Sequence, residues 1–268
     1  MTTRISVAII AHNEEDTAAR ALESAAWADE IIFVDCGSTD RTTAVAAGVL
    51  SEKASATPYQ STGQAPKVLL FSRENSLAVH INKQFAADRA SGDWILILDA
   101  DEVISQELRG EILAAAGAGG MDAYEMPRRN FYFGRWLKHG GKYPDTQLRL
   151  FRKGKARFLP LPVHERLEVD GAIGRLSAPL NHYPYRSVRD IPRKLGFYAE
   201  ALSDSYIRNG KHPLLIFTRP FSRFISAYLL KLGFLDGAAG FKTALTDFLV
   251  IFISILRFRE KLNDRHRL

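Results

Sequence analysis

Trp94-Ile-Leu-Ile-Leu-Asp99-Ala-Asp101-Glu102 is the stretch on which the reading of this chain turns. A continuous apolar run marks a strand buried on both faces, as in a parallel sheet. Open α/β sheets hold their ligands just outside the carboxyl ends of such strands. Asp99, Asp101 and Glu102 are therefore expected to project together at the mouth of a cleft. Their oxygen-only donor set suits a hard cation, Mg2+ or Mn2+, of the kind shared with substrate phosphates.

Working outward, Ile5-Ser-Val-Ala-Ile-Ile-Ala11 reads as another buried strand and ends in His12-Asn13-Glu14-Glu15. A helix over 14–26 is predicted, with Asn13 as N-cap and acidic residues in its first turn. Glu30-Ile-Ile-Phe-Val34 follows and ends in Asp35-Cys36-Gly37-Ser38-Thr39-Asp40-Arg41-Thr42. Gly37 permits a tight turn and Ser38, Thr39 or Asp40 can cap the next helix, which leaves Asp35 able to bond a base or ribose. Lys67-Val-Leu-Leu-Phe71 is a third strand, followed by a helix over 76–90 and then the Trp94 strand. Strand alternating with helix four times predicts βαβ units and a parallel sheet. Three of the four strands end in acidic or amide residues, which share one edge if the strands are neighbours.

Downstream, a helix over 105–117 capped by Ser105 is expected. Strands over 121–132 and 147–151 would extend the sheet antiparallel. Residues 134–142 are glycine-rich, aromatic and basic, and suit an acceptor-site loop or lid. Residues 51–66, rich in Ser, Ala, Thr, Gly and Gln, read as an exposed mobile loop.

Ala11-His-Asn-Glu-Glu15, Val34-Asp-Cys-Gly-Ser-Thr-Asp-Arg-Thr42 and Leu98-Asp-Ala-Asp-Glu102, in that order and spacing, resemble the signature set of family 2 glycosyltransferases. Gln147-Leu-Arg-Leu-Phe-Arg152 and Pro162-Val-His-Glu165 extend the likeness to about residue 185, nearest to the lipopolysaccharide-core β-1,4-glucosyltransferase type. The resemblance implies a GT-A, Rossmann-like fold: a mostly parallel sheet flanked by helices. It implies that Asp35 meets the uracil or ribose, that Glu14 lines the nucleotide pocket and that Asp99 lies near ribose or metal. Asp101 would bind Mg2+ or Mn2+ on the donor diphosphate, with His164 a late-chain metal ligand or a structural histidine. Asn82-Lys83-Gln84 stands where the family often has Gln-Lys-Asn, which makes Lys83 a candidate nucleotide contact or a solvated helix lysine. Inverting transfer needs a carboxylate base, and Asp145 and Glu165 are the two candidates. Arg149 and Arg152 either reach a phosphate or lie on a solvated face.

The implied activity is transfer of a sugar, glucose by the resemblance, from a UDP-sugar to a lipopolysaccharide-core or related glycolipid. Transfer to polyprenyl phosphate or an exopolysaccharide precursor, and an inactive sugar-nucleotide-binding scaffold, are the alternatives.

Composition sets further bounds. Cys36 is the only cysteine, which excludes a disulfide framework and a cysteine-rich zinc site. It reads as a small core residue. The N-terminus opens directly on a strand, and the expected compartment is cytoplasmic. Charge is uneven: residues 1–185 carry 21 Lys+Arg against 23 Asp+Glu, and residues 186–268 carry 15 against 7. The expected organisation is a catalytic domain over 1–185 and a basic helical appendage over 186–268, entered by a helix over 185–209. The apolar run Phe248-Leu-Val-Ile-Phe-Ile-Ser-Ile-Leu256 is too short to span a bilayer. A basic amphipathic helix lying on the inner face of the cytoplasmic membrane is expected instead. Nucleic acid is not an expected partner, because apolar residues interleave the basic ones and no nucleic-acid motif is present.

Overall fold

The computed structural model describes residues 3–55, 66–74, 79–159, 167–212 and 216–265. His164 and Glu165, and most of the loop expected over 51–66, lie outside them; residues 51–55 continue a helix.

The four apolar runs form strands β1 (Ile5–Ala11), β2 (Glu30–Asp35), β3 (Lys67–Ser72) and β4 (Trp94–Asp99), all parallel, in the order β3-β2-β1-β4. Helices α1 (Ala18–Ala25), α2 (Thr42–Ser55) and α3 (Val79–Arg89) connect them. The chain builds outward from β1 to β3 and then returns to the other side of β1. The gap between β1 and β4 is thus a topological switch point, where open sheets bind ligands. Alternate residues along each strand point to opposite faces. Val7, Ile9, Phe33 and Leu96 enter one core with α1, and Ala8, Ile10, Val34 and Ile97 enter a second with α3.

After β4 come β5 (Glu102–Val103), α4 (Gln106–Ala118), β6 (Ala123–Tyr132), β7 (Arg135–Trp136), β8 (Asp145–Arg152), β9 (Ala156–Phe158), β10 (Leu167–Val169), β11 (Ile173–Arg175) and β12 (Leu180–Tyr185). Ser105 caps α4 as expected, its hydroxyl accepting from the Leu108 amide at 3.1 Å. β8 runs antiparallel to β4, and the sheet continues through β6, β12 and β5. At the opposite end of the strands from the switch point, Glu30 is buried and accepts bonds from Ser6, Lys67 and Ser91. Burial raises its pKa, and these bonds outweigh burial and lower it. Gly92 is required there, because a Cβ would sit 2.8 Å from the Ser6 backbone nitrogen.

Two predicted boundaries moved. The first helix begins at Ala18 rather than residue 14, because Asn13 takes a left-handed conformation (φ 53°). Its side chain bonds the loop after β2 instead of capping α1. The helix expected from 185 begins at Asp190, because residues 180–185 pair as β12.

The chain divides into two compact units, Met1–Arg128 with Thr146–His182, and Arg129–Asp145 with Tyr183–Leu268. Residues 129–145, expected with the catalytic domain, cluster with the helical segment. Two acidic anchors hold them there: buried Asp236 accepts from the amides of Lys138 and His139, and half-buried Asp247 pairs with Lys142 at 3.0 Å. The helices of this second unit are α5 (Asp190–Arg208), α6 (Arg219–Ile225) and α7 (Gly237–Arg265), with a π turn (Ser226–Leu230) and a 3-10 turn (Gly233–Asp236) before α7. α5 packs on α7 through Tyr206, Ile255 and Phe258, and Glu200 binds both Arg257 and Lys261. The nine-residue apolar run at 248–256 sits inside the 29-residue α7, which corrects the expectation of a short segment. By length and composition alone, α7 is long and apolar enough to cross a membrane.

Candidate functional site

The ends of β1, β2 and β4 meet by register: Ala11 lies opposite Asp35, and Ile10 opposite Asp99. The loops after β1 and β2 are fastened together. The Asn13 amide donates to Ser38 Oγ, the Glu14 amide to Thr42 Oγ1, and the Thr39 amide to Asn13 Oδ1 at 2.7 Å. His12 Nδ1 lies 2.9 Å from the Cys36 carbonyl oxygen, which fixes the ring. Glu14 uses one carboxylate oxygen to accept from Thr17 at the start of α1.

This fastening holds Asp35, which is 3% exposed. Its Oδ2 accepts from the Ser38 amide at 3.3 Å. Its Oδ1 is buried and has no hydrogen-bond partner among the described residues. A buried acceptor is normally satisfied, and Oδ1 has room for one further donor. Cys36 is inert by contrast: burial first, and then the neighbouring Asp35 charge, push its thiol up to about 11. Asn82 donates to its sulfur at 3.1 Å, and Gln84 accepts from the Phe158 amide, so both amides of that motif hold structure together.

The three carboxylates after β4 do not project together. Glu102 is completely buried, which corrects its expected place at the cleft mouth. It accepts from Arg128, from Arg149 at 2.9 Å and from the Asp99 amide, and so ties down the turn. Asp99 is held on both oxygens, by Lys83 Nζ at 2.9 Å and Arg149 at 2.6 Å. Burial pushes its pKa up, but Arg149 and Lys83 together pull it well below the usual carboxylate range. Lys83, read as a nucleotide contact or a solvated lysine, is 2% exposed, with its charge committed to Asp99. Arg149 is 5% exposed, so it does not lie on a solvated face; it bridges Asp99 and Glu102.

Asp101 has a different neighbour. His182, unmarked in the sequence reading, sits opposite Glu102 in the β5–β12 ladder, and its Nε2 lies 3.5 Å from Asp101 Oδ1. Its only sequence signal is the alternation of Leu180-Asn-His-Tyr-Pro-Tyr185, and a strand was not expected there. Among the described residues no three His, Cys, Asp or Glu side chains form a complete metal cage. A carboxylate and an imidazole nonetheless fit a cation that takes its remaining ligands from a diphosphate, as Mg2+ and Mn2+ commonly do. Lys83, Arg128 and Arg149 are the cations of this turn, and they pair with Asp99 and Glu102.

In the second unit, Asp145 opens β8 and its Oδ2 accepts from Asn130 Nδ2 at 3.1 Å. The same Asn130 amide also donates to the Lys142 carbonyl at 2.8 Å. The carboxylate is thereby oriented.

Residues 6–173 match the family model described as glycosyl transferase family 2. The lipopolysaccharide core biosynthesis glycosyltransferase LpsC of Rhizobium meliloti (strain 1021) is 30% identical over 277 residues, covering 98% of this chain and 93% of its own. In fold, the chain is similar to the mannosyltransferase PcManGT from Pyrobaculum calidifontis in complex with GDP-Man and Mn2+. That match has TM-score 0.51 and 13% identity over 96% of this chain and 87% of the other. Residues 1–349 of S. aureus TarS in complex with UDP give TM-score 0.50 and 16% identity over 96% and 91%.

Proposed function

This chain belongs to glycosyl transferase family 2, and we propose that it transfers glucose from UDP-glucose, with inversion, to a lipopolysaccharide-core or related glycolipid on the inner face of the cytoplasmic membrane. The observation that carries the nucleotide reading is the buried Oδ1 of Asp35, unpartnered among the described residues, at the end of β2 next to β1. A uracil N–H or a ribose hydroxyl is the donor it lacks.

Each residue then has a chemical task. Asp35 accepts from the nucleoside, and Glu14 and Asn13 hold the loop that walls its pocket. Asp99 stays ionised between Lys83 and Arg149, and so fixes the turn that presents Asp101. Asp101 and His182 would hold Mg2+ or Mn2+, in place of the Asp99, Asp101 and His164 set read from the sequence. When bound, that cation would supply positive charge that stabilises the departing diphosphate. Asp145, oriented by Asn130, takes the proton from the acceptor hydroxyl as it attacks the anomeric carbon; Glu165 is the competing base. The relatedness to LpsC supports a lipopolysaccharide-type acceptor.

Calorimetric titration with UDP-glucose, UDP-galactose, UDP-N-acetylglucosamine and UDP, each with Mn2+ and with chelator, tests the reading. UDP-glucose is expected to bind best and in a metal-dependent way. Asp35→Asn, which keeps the shape but halves the acceptor capacity, should weaken every uridine ligand about tenfold, the value of one buried hydrogen bond to a charged group. Unchanged affinity in that variant would remove Asp35 from the nucleotide site.

A further inference from the structure

The helical hairpin of the second unit is packed inside out for a protein surrounded by water. Its inner positions are small: Ala227, Gly233, Ala239, Gly240, Thr243 and Ala244 are buried. The backbones approach so closely that a Cβ on Gly240 would lie on the Gly233 carbonyl oxygen. The outer positions are large and apolar. Phe221, Ile225 and Leu229 repeat every fourth residue along α6 and the π turn, Leu232 follows, and Phe241 and Leu245 continue the pattern on α7; all are exposed. Leu230, at the hairpin end, is 75% exposed. Ring contacts from Phe221 to Phe248, and from Phe241 to Phe224 and Tyr228, link the two stripes into one surface. Burial of large apolar side chains drives folding in water. Small residues inside and large ones outside is the arrangement of helices whose outer face meets lipid.

Charge points to the same partner. Between residues 209 and 246 the only acidic residue is Asp236, and it is buried against His139 and the amides of Lys138 and His139. Lys211, Arg219, Arg223, Lys231 and Lys242 are the cations of the same stretch. A face of exposed Phe, Leu and Ile with Lys and Arg, and no exposed acid, is complementary to an anionic bilayer surface.

The other side of α7 rules out a spanning role. It carries Asp247, paired with Lys142 and Arg223, and buried Thr246 and Ser254, and it packs on α5 through Glu200, Arg257 and Lys261. Crossing a bilayer would strip these pairs and place charges in hydrocarbon. We infer that residues 217–245 form an interfacial docking face that lies in the headgroup layer of an anionic membrane.

The face is tied to the 134–142 loop. The Gly140 amide donates to the Lys231 carbonyl at 2.8 Å, His139 bonds Asp236, and Lys142 bonds Asp247. The loop is therefore bolted to the hairpin and is not a free lid, and docking sets its height over the membrane. The use of that placement, presenting a glycolipid to the loop, rests on the acceptor class proposed above; the docking itself does not.

The test is flotation of the full-length protein with phosphatidylcholine vesicles, with and without phosphatidylglycerol, in the absence of donor and acceptor. The protein is expected to float with the anionic vesicles, poorly with neutral ones, and to be released by alkaline wash. Ile225→Glu with Leu229→Glu should lower partitioning at least about tenfold, with UDP affinity and helix content unchanged. Four results overturn the inference: a wild-type protein that does not float, a double variant that floats equally well, resistance to alkaline wash as for a spanning helix, or a variant that only converts a dimer to monomer. Because vesicle binding is read without sugar transfer, and UDP affinity is read alongside it, failure of the glycosyl-transfer reading is distinguishable from failure of docking.

Discussion

Lys83→Met separates two meanings of a lysine that the motif alone leaves open. Methionine keeps the unbranched stem and the volume, and removes only the charge. In the wild type, Nζ lies 2.9 Å from Asp99 Oδ1 and the lysine is 2% exposed, while the Asp99 side chain is 27% exposed. Removing one partner of a buried pair costs about 3–5 kcal/mol. Asp99 keeps some solvent and retains Arg149 on its other oxygen, which places the loss near the low end, about 3 kcal/mol. The pH dependence has a definite sign. The folded Asp99 carboxyl has a pKa below its unfolded value, because Arg149 and Lys83 outweigh the effect of burial. The unfolded chain therefore binds more protons, and stability rises with pH in that interval. The contribution is complete above the unfolded value, about 4, and is lost as pH falls through the lower folded value. In the variant the Asp99 pKa moves back toward the ordinary range, so the deficit should be full at neutral pH and shrink below about pH 4. Urea unfolding of both proteins at neutral and acidic pH, followed by tryptophan fluorescence, measures it. A variant as stable as wild type at neutral pH, or a deficit that does not change with pH, refutes the argument. Equal stability with weakened UDP binding would instead restore Lys83 as a nucleotide contact.

Further substitutions divide the labour among the site residues. His182→Ala should lower the Mn2+ affinity of the UDP complex about 10- to 100-fold, and Asp101→Ala should abolish the metal dependence of donor binding. Calorimetry with and without chelator reads both, and an unaltered Mn2+ response in either variant would take that residue out of the metal site. Asp145→Asn should leave UDP-sugar affinity intact while kcat falls about 100- to 10,000-fold, the usual worth of a general base; if Glu165→Gln behaves this way and Asp145→Asn does not, Glu165 is the base.

The parallel half of the sheet was legible because its strands announce themselves. β1, β2 and β4 are built on apolar runs whose observed ends fall within one position of the predicted edge. Helix α4 was legible for a similarly local reason, a serine cap ahead of an apolar pattern. What escaped was set by long-range pairing. The alternation within 180–185 is too short to mark a strand by itself; residues 181 and 182 are extended because they pair with Val103 and Glu102 across the sheet. His182 was invisible as a partner of Asp101 for the same reason. The length of α7 was missed because Lys242 and Asp247 interrupt the apolar run, whereas in the fold Asp247 is neutralised by Lys142 and Arg223.

Asp99 and Asp101 show where sequence reasoning about a motif stops. They are two residues apart and chemically identical, and the resemblance assigned both to the metal. Their difference comes entirely from partners far along the chain. Asp99 is the last residue of β4, and the antiparallel strand β8 beside it delivers Arg149, while α3 delivers Lys83. Asp101 lies beyond the strand end, where β12 delivers an imidazole. A carboxylate already matched by two cations attracts a third poorly, whereas Asp101, 3.5 Å from the His182 ring, is the carboxylate that meets the divalent ion in the proposed reading. Exchanging the environments is then more informative than deleting either acid. Arg149→Met removes the cation that bridges Asp99 and Glu102, and should both destabilise the protein and create a second carboxylate able to compete for Mn2+. Mn2+ titration of that variant at neutral pH is expected to give a changed affinity that depends on Asp99, so that adding Asp99→Asn returns it to the wild-type value. If Asp99→Asn makes no difference in the Arg149→Met background, the division of roles does not arise from charge pairing, and the geometry of the turn alone selects Asp101.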